Sequence, residues 1–259
     1  MKASMYINSF GGVHKTGIYS PAGGTGWDPS QSGPDDIRRK QVLDKPYLSF
    51  GKLQLAEKLA FAAASLLFKG ISEQNHERTG ICIGSPYGSF STDIAYMQSV
   101  ISGFPSPAMF SATLPSSAVA DIAIYYKCMG PNRVVSERGS SGLAALVLAA
   151  KALMHNKADS MIVLALNALA PRHREIPLLD RIPATENYAF ALLCTAQNRS
   201  RTPCPKISLD IQYRHDSQAE LSDELYFYTL ISLLAADNCG EIDINTHSYT
   251  GHISLDKEI

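Results

Sequence analysis

The sequence predicts an α/β fold in which helices cover a mixed, largely parallel β-sheet. Three observations support this fold class: short apolar runs of strand length, longer apolar segments of helix length between them, and a tight strand–turn–helix junction at 133–153. Short connections join these segments, as is typical of parallel sheets covered by helices. With 259 residues and 45% hydrophobic side chains, the chain can bury a sizeable core.

The first third of the chain predicts two strands and a long helix. Residues 5–10 alternate as in a strand, and the following segment 11–34, with seven glycines and three prolines, predicts an irregular loop. Residues 50–68 predict a helix whose apolar second half must be covered by protein. The run T-G-I-C-I-G at 79–84 predicts a buried parallel strand.

The middle of the chain predicts helices that lead into the junction. Residues 92–101 and 116–126 predict helices, and the intervening segment 103–115, with three prolines, predicts a loop. Residues 133–137 predict a buried strand that meets the helix 143–153 through a turn with glycines at both ends. Such a junction points a turn residue into a cleft beside the positive end of a helix dipole. We call this junction the elbow.

The last third continues the alternation. The sequence predicts strands at 160–166, 188–195 and 206–213, a helix at 221–236, and two short strands around Ile242 and Ile253.

Composition excludes several classes of function. A net charge of -1 argues against a nucleic-acid-binding surface. No apolar window approaches the roughly 20 residues of a membrane span, and no leader-like segment opens the chain, so we expect a cytoplasmic protein. The five cysteines are widely spaced and never form a C-x-x-C pair, which favours reduced thiols over a metal site. Neither a metal nor a cofactor is predicted.

The elbow carries a resemblance to a known family. Residues 130–142 read G-P-N-R-V-V-S-E-R-G-S-S-G. This run resembles the active-site segment of the β-ketoacyl synthases of the thiolase fold, which reads roughly G-P-N-x-x-V-S-T-A-C-A-S-G. The family's catalytic cysteine falls on Gly139. Because glycine has no side chain to form an acyl–enzyme bond, the resemblance implies a chain that is inactive by itself.

Three further segments extend the resemblance. Phe110 to Asn132 is similar to the family's segment before the cysteine, Lys157 to Leu169 to the strand after it, and Asn245 to His252 to its closing N-S-F-G-F-G-G-H loop. The family's part with two catalytic histidines and a lysine is nearly all absent. The resemblance therefore implies a thiolase-like fold made mostly of the N-terminal half, at 1–217, with a remnant of the C-terminal half at 218–259 packed on the same domain.

The resemblance also implies a function and partners. Some cysteine-less family members are chain length factors, which pair with an active β-ketoacyl synthase through the strand beside the elbow and narrow its acyl tunnel. This chain resembles such a factor in shortened form, nearest the ketosynthase partner subunit of aryl polyene biosynthesis. The implied complex is a heterodimer or heterotetramer with an active β-ketoacyl synthase, in type II polyketide or fatty-acid-like biosynthesis, visited by an acyl carrier protein.

The resemblance implies which residues line the tunnel or the interface. These residues are Ala108, Met109, Phe110, Thr113, Val134, Ser136, Gly139 and Tyr249. Met109 and Phe110 are the candidate plug that stops a growing chain by its volume, and ordinary core packing is the alternative for this pair. Tyr249 matches the gating aromatic residue of the closing loop.

Two other functions stay open. Ser140 could act as a nucleophile in an acyltransferase or thioesterase, although G-S-S-G-L does not have the G-x-S-x-G spacing and serine is a common helix N-cap. The basic residues Arg172, His173 and Arg174 could meet an acidic carrier protein or lie in a solvated loop. A self-associating structural protein is the other alternative.

Overall fold

The computed structural model describes most of the chain. The described residues are 1–27, 33–43, 45–69, 76–137, 139–170, 186–198, 204–213, 223–246 and 249–257. Arg172, His173, Arg174 and the expected domain boundary at 217/218 lie outside them. Within the described part, the strands form one ten-stranded sheet.

The strands and helices follow the predicted order closely. The strands are β1 (Lys2–His14), β2 (Gly17–Ser20), β3 (Gly23–Thr25), β4 (Thr79–Gly84), β5 (Asn132–Val135), β6 (Ser160–Asn167), β7 (Tyr188–Thr195), β8 (Pro205–Tyr213), β9 (Gly240–Asn245) and β10 (Tyr249–Lys257). The α-helices are α1 (Arg39–Val42), α2 (Leu55–Phe68), α3 (Phe90–Ile101), α4 (Pro107–Ser111), α5 (Ser117–Tyr126), α6 (Ser141–Met154) and α7 (Asp223–Ala235). Two short 3₁₀ helices lie at Pro34–Asp36 and Leu48–Lys52.

The sheet is mixed, and its parallel part is smaller than the sequence analysis expected. The strand order is β5-β4-β6-β7-β1-β8-β10-β9, and β2 and β3 form a ribbon that extends from β1. Only the β5–β4 and β4–β6 pairs are parallel. The other pairs are antiparallel. The parallel pairs are formed by β4, β5 and β6, which helices connect in the chain: α3, α4 and α5 lie between β4 and β5, and α6 lies between β5 and β6.

Helices cover both faces of the sheet. On one face α6 and α7 form a core cluster that includes the inward side chains of β8, β9 and β10. On the other face α2 and α5 pack against β1, β4, β6 and β7. The apolar second half of α2 is buried from Leu59 to Leu67, as predicted. Each fully buried large side chain there, such as Phe61, contributes about 1.5–3 kcal/mol of hydrophobic stabilisation.

Three segments differ from the sequence expectation. The glycine-rich segment 11–34 is not wholly irregular, because β1 continues to His14 and β2 and β3 pair beyond it. Gly17 and Gly23 have positive φ angles of 146° and 109°, which suit glycine at the ends of these short strands.

The second difference is α4, within the expected loop 103–115. Ser106 caps this helix by accepting a hydrogen bond from the backbone N–H of Met109, and Pro107 occupies the first helical position. Both are strong helix-start signals that the three prolines obscured.

The third difference concerns β5, which was expected to be a buried strand. It lies at the edge of the sheet, ends at Val135, and has exposed residues at Asn132 and Arg133. Its burial depends on the strand order, which its own β-branched residues do not encode.

Among the described helices, none is long and apolar enough to cross a membrane.

Candidate functional site

The elbow lies where the parallel strands end. β4, β5 and β6 run in the same direction, so their carboxyl ends share one edge of the sheet, and α6 starts from that edge. A β-carbon at Gly84 would overlap the backbone oxygen of Ser141 and lie 2.6 Å from the nitrogen of Gly142. Glycine at the end of β4 therefore allows the first turn of α6 to pack directly on the sheet.

Backbone and hydroxyl hydrogen bonds hold the elbow turn together. The N–H of Glu137 donates to Oγ of Ser141 over 2.9 Å, and the N–H of Ser140 donates to the oxygen of Glu137 over 2.9 Å. Gly139 lies half-buried between them. The elbow therefore presents only backbone at position 139, where the sequence analysis expects the position of the nucleophile.

Ser140 is fully buried, and its Oγ has no hydrogen-bond partner among the described residues. It occupies the N-cap position of α6, as expected, but its side chain makes no cap hydrogen bond. The hydroxyl of Ser141 makes the side-chain hydrogen bond that stabilises the turn. A serine hydroxyl needs a hydrogen-bonded base to attack a thioester, and Ser140 has none in the described part of the chain.

Three of the five thiols are protonated at neutral pH. Burial raises the pKa of Cys128 and Cys194 to about 12. Burial also raises the pKa of Cys82 to about 12, although the nearby charge of Arg133 acts in the opposite direction. Since the thiolate is the reactive form, these three thiols are protonated and inert under physiological conditions.

The candidate plug lies on the surface of α4. Ala108 is exposed, Met109 is half-buried, and Phe110 is 60% exposed, with its ring 5.3 Å from that of Tyr96. Thr113 is half-buried; its Oγ1 donates to the oxygen of Phe110 over 2.7 Å. None of the four belongs to either core cluster of the described residues, which disfavours the core-packing alternative for Met109 and Phe110.

A small cavity lies between the starts of α2 and α5 and the ends of β4, β5 and β6. Its volume is about 10 Å³, which is room for roughly one water molecule. Its lining residues include Glu57, Ser85, Thr92, Ala112 and Val134. This cavity is far too small for an acyl chain.

Two further candidate residues lie beside the elbow. Val134 is half-buried and packs on the α2–α5 face, and Ser136 is exposed, with its Oγ donating to the oxygen of Pro86 over 3.3 Å. Together with Gly139 they line the free side of β5, which has no strand partner beyond β4 in the described sheet.

Tyr249 occupies a different environment. It is 8% exposed and belongs to the core cluster of α6 and α7. Its backbone N–H donates to Oγ1 of Thr246 over 3.0 Å, and its ring lies 5.7 Å from that of Tyr213. Five strands separate β10 from β5 in the sheet, so Tyr249 lies far from the elbow. The structure therefore does not bring Tyr249 into the elbow site, because β10 directs its ring into the core.

Sequence reasoning missed an apolar surface around α3 and α5. Eight of the eleven large hydrophobic residues that are exposed in the described part of the chain fall between residues 97 and 129. They are Met97, Val100, Ile101, Phe104, Phe110, Leu114, Ile124 and Met129. We call this set the apolar surface. The helix α3 carried the signal, since Phe90, Ile94, Met97 and Ile101 recur at helical spacing, yet Thr92 is the only buried residue of this helix.

A pair of carboxyl groups, in which Glu57 is buried and Asp121 is half-buried, was also missed. Burial and, to a smaller extent, the nearby Glu57 carboxylate together raise the pKa of Asp121 from 3.8 to about 6. Glu57 accepts a hydrogen bond from the N–H of Gln54 over 2.8 Å and so caps α2. Residues 57 and 121 are far apart in sequence, so only the packing of α5 on α2 brings them together.

The mixed sheet, the helices on both faces and the elbow define a thiolase-like α/β protein. Residues 54–182, just under half of the chain, match the family model for the beta-ketoacyl synthase N-terminal domain, so this part of the chain is similar to a β-ketoacyl synthase. Among curated proteins, none matches this sequence.

Solved structures with this fold include complexes of ketosynthases. One is a ketosynthase in complex with its chain length factor from Xenorhabdus doucetiae, at 16% identity and a TM-score of 0.67, covering 97% of this chain and 99% of that chain. The ishigamide ketosynthase/chain length factor matches at 16% identity and a TM-score of 0.66, covering 91% and 74%. A type II polyketide synthase acyl-carrier protein in complex with its ketosynthase matches at 12% identity and a TM-score of 0.66, covering 98% and 99%.

Proposed function

We propose that this chain is a non-catalytic, chain-length-factor-like subunit that pairs with an active β-ketoacyl synthase and shapes its acyl tunnel. The observation that carries the proposal is Gly139, which leaves the elbow without a nucleophile. Condensation by this family needs a thiolate that holds the acyl chain covalently, and a backbone turn cannot replace it. The elbow can still line a cavity beside a partner's active site.

The lack of another activated nucleophile at the elbow, among the described residues, supports this proposal. The hydroxyl of Ser140 is buried without a base, and the thiols of Cys82, Cys128 and Cys194 stay protonated at neutral pH. An acyltransferase or thioesterase centred on the elbow would need one of these groups to be both accessible and activated.

The free side of the molecule fits a partner subunit. β5 leaves one edge of the sheet unpaired within the described residues, and the residues of the apolar surface, 97–129, directly precede β5 in the chain. Exposed strand edges and clustered apolar side chains are costly in an isolated protein and mark protein–protein interfaces. An active β-ketoacyl synthase that adds a strand to β5 would cover both features.

The position of α4 supports a role in limiting product length. Met109 and Phe110 belong to neither core cluster of the described residues, and the cavity beside the elbow has a volume of only about 10 Å³. A side chain that is solvated in the free subunit can fill space in a tunnel that the partner provides. The product class we propose is a polyene or polyketide chain of type II biosynthesis, in particular an aryl polyene, delivered on an acyl carrier protein.

Co-expression with a ketosynthase encoded beside this chain tests the proposal. We expect the two chains to co-purify and to elongate an acyl-carrier thioester, whereas this chain alone neither condenses substrates nor carries an acyl group by intact-mass spectrometry. A ketosynthase whose active-site cysteine is replaced by alanine should form the same complex without activity. Recovery of this chain alone with an acyl group on the elbow peptide would overturn the proposal in favour of chemistry at Ser140.

A further inference from the structure

Little apolar packing attaches the helices α3 and α4 to the rest of the molecule. In the described part of the chain, no side chain from residue 85 to residue 117 belongs to either core cluster or packs against one. Thr92 is the only buried residue of α3, and α4 has none. The two helices pack mainly on each other, and the rings of Tyr96 and Phe110 lie 5.3 Å apart. Hydrophobic burial therefore contributes little to holding this pair of helices on the domain.

Polar contacts form the joint between these helices and the domain. The N–H of Ala170 donates to Oγ of Ser91 over 2.8 Å, and the N–H of Gly88 donates to Oγ of Ser85 over 3.0 Å. The cavity of about 10 Å³ lies at this joint, and four hydroxyl side chains are part of its lining: Ser85, Ser89, Thr92 and Ser117. Because such a joint lacks close-packed apolar contacts, it opens at a lower cost than a core does.

The two ends of the segment meet at a narrow neck. Oγ of Ser89 donates to the backbone oxygen of Thr113. A β-carbon at Gly88 would lie 3.4 Å from Cγ of Pro115. The residues between these ends can therefore unfold without separating β4 from α5, since the ends stay anchored close together on the domain.

We propose that residues 89–113, which we call the flap, unfold and refold as one unit while the rest of the domain stays folded. Segments with few buried apolar contacts are the first to open in native proteins. The contact between Tyr96 and Phe110 joins the two helices, so α3 and α4 open together. Five residues of the apolar surface lie in the flap, as does Met109. The position of the candidate plug is therefore fixed only while the flap is closed.

A partner that covers the apolar surface would hold the flap closed. Apolar contact with the outer side of α3 adds the burial that the domain itself does not supply, so binding favours the closed state. This coupling rests on the proposed function, whereas the separate opening of the flap does not. Pairing with the ketosynthase would then fix the plug in place at the moment when the tunnel is completed.

Hydrogen exchange of the free full-length chain tests the flap. We expect the backbone amides of α3 and α4 to have similar protection and to exchange at least about 100-fold faster than those of α6. Tyr96→Ala should speed exchange in both helices by about three- to tenfold, because it removes the aromatic contact between them. The fluorescence of Trp27, the single tryptophan, should give an unchanged urea midpoint for this variant, since the flap is already open near the midpoint.

Tyr125→Ala is the matched control. Tyr125 is half-buried like Tyr96, but its ring lies 5.1 Å from that of Phe61 in the core. We therefore expect Tyr125→Ala to lower the urea midpoint of the whole domain. Three results would overturn the flap: protection of α3 equal to that of α6, faster exchange in only one helix of Tyr96→Ala, or a urea midpoint that falls as far in Tyr96→Ala as in Tyr125→Ala.

Hydrogen exchange of the complex with the ketosynthase tests the coupling. We expect the amides of α3 and α4 to exchange at least about tenfold more slowly in the complex than in the free chain. A complex that leaves this exchange unchanged would refute the coupling, but both the flap and the proposed function would stand. Failure to form a complex would refute the proposed function and the coupling with it, whereas exchange in the free chain would still decide about the flap.

Discussion

Gly84 at the end of β4 lies directly under Ser141, the first residue of α6, so that a β-carbon at residue 84 would overlap the backbone oxygen of Ser141. We therefore expect Gly84→Ala to push α6 away from the sheet and to lower the free energy of unfolding by about 1–3 kcal/mol in urea titrations. Gly51→Ala is the control, because a β-carbon there meets no atom within 4 Å. Equal effects of the two substitutions would contradict the close packing of the elbow.

Alanine substitutions of the two adjacent serines of the elbow should have different effects on the free energy of unfolding. Ser141→Ala removes the acceptor for the N–H of Glu137 and should cost about 1 kcal/mol of stability. Ser140→Ala removes a buried hydroxyl without a described partner and should be neutral or slightly stabilising. Chemical denaturation of both variants measures the difference. A strongly destabilised Ser140→Ala variant would mean that its hydroxyl has a structural partner.

Asp121 should make the stability depend on pH. Its pKa is raised to about 6 in the folded state by burial and by Glu57, against 3.8 for an ordinary carboxyl. The folded state therefore binds more protons between pH 4 and pH 6, and stability decreases as the pH rises through this range.

Asp121→Asn should remove this decrease. We expect the variant to be about 1–2 kcal/mol more stable than the wild type above pH 7, which is below the full value of the shift because Asp121 is partly solvated. The two proteins should have the same stability near pH 4. Urea unfolding across the pH range checks this, and a constant difference at all pH values would point to packing rather than ionisation.

Cys239 should be the thiol that reacts in the native protein. It is exposed, whereas Cys82, Cys128, Cys194 and Cys204 are buried. We expect iodoacetamide at pH 8 to label Cys239 rapidly, and Cys239→Ser to remove this labelling; all five thiols should react after unfolding. Rapid native labelling of Cys82 would show that β4 and β5 open easily.

Met109 and Phe110 should limit product length in the complex with a ketosynthase. Replacing either by alanine removes volume from the proposed plug, so we expect longer products by mass spectrometry, at similar yield of the complex. Leu48→Ala is the matched control, since Leu48 is 95% exposed and lies outside the apolar surface. Unchanged product length in both variants would argue against the plug.

Elements with strong local patterns were predictable from sequence. The second half of α2, the strand β4 and the strand β7 are apolar throughout, and an apolar run of this kind has no stable place outside a core. The elbow was predictable because glycines, a β-branched run and an uninterrupted apolar helix follow one another within 20 residues.

Features that depend on partners distant in sequence were not predictable. The ribbon of β2 and β3 forms because β1 extends far enough to pair with β2. Tyr249 is buried because β10 joins the sheet beside β8. The contrast between Ser140 and Ser141 depends on the turn geometry at Glu137, since either hydroxyl suits a helix start by residue type.

The amino-acid sequence by itself determined that no side chain occupies position 139, because covalent constitution does not depend on folding. Only the tertiary structure decided that β5 is an edge strand, that α3 and α4 leave their apolar side chains exposed, and that Asp121 meets Glu57. Exposure and electrostatic coupling are properties of the complete set of contacts around a residue, and residues distant in the chain supply most of those contacts.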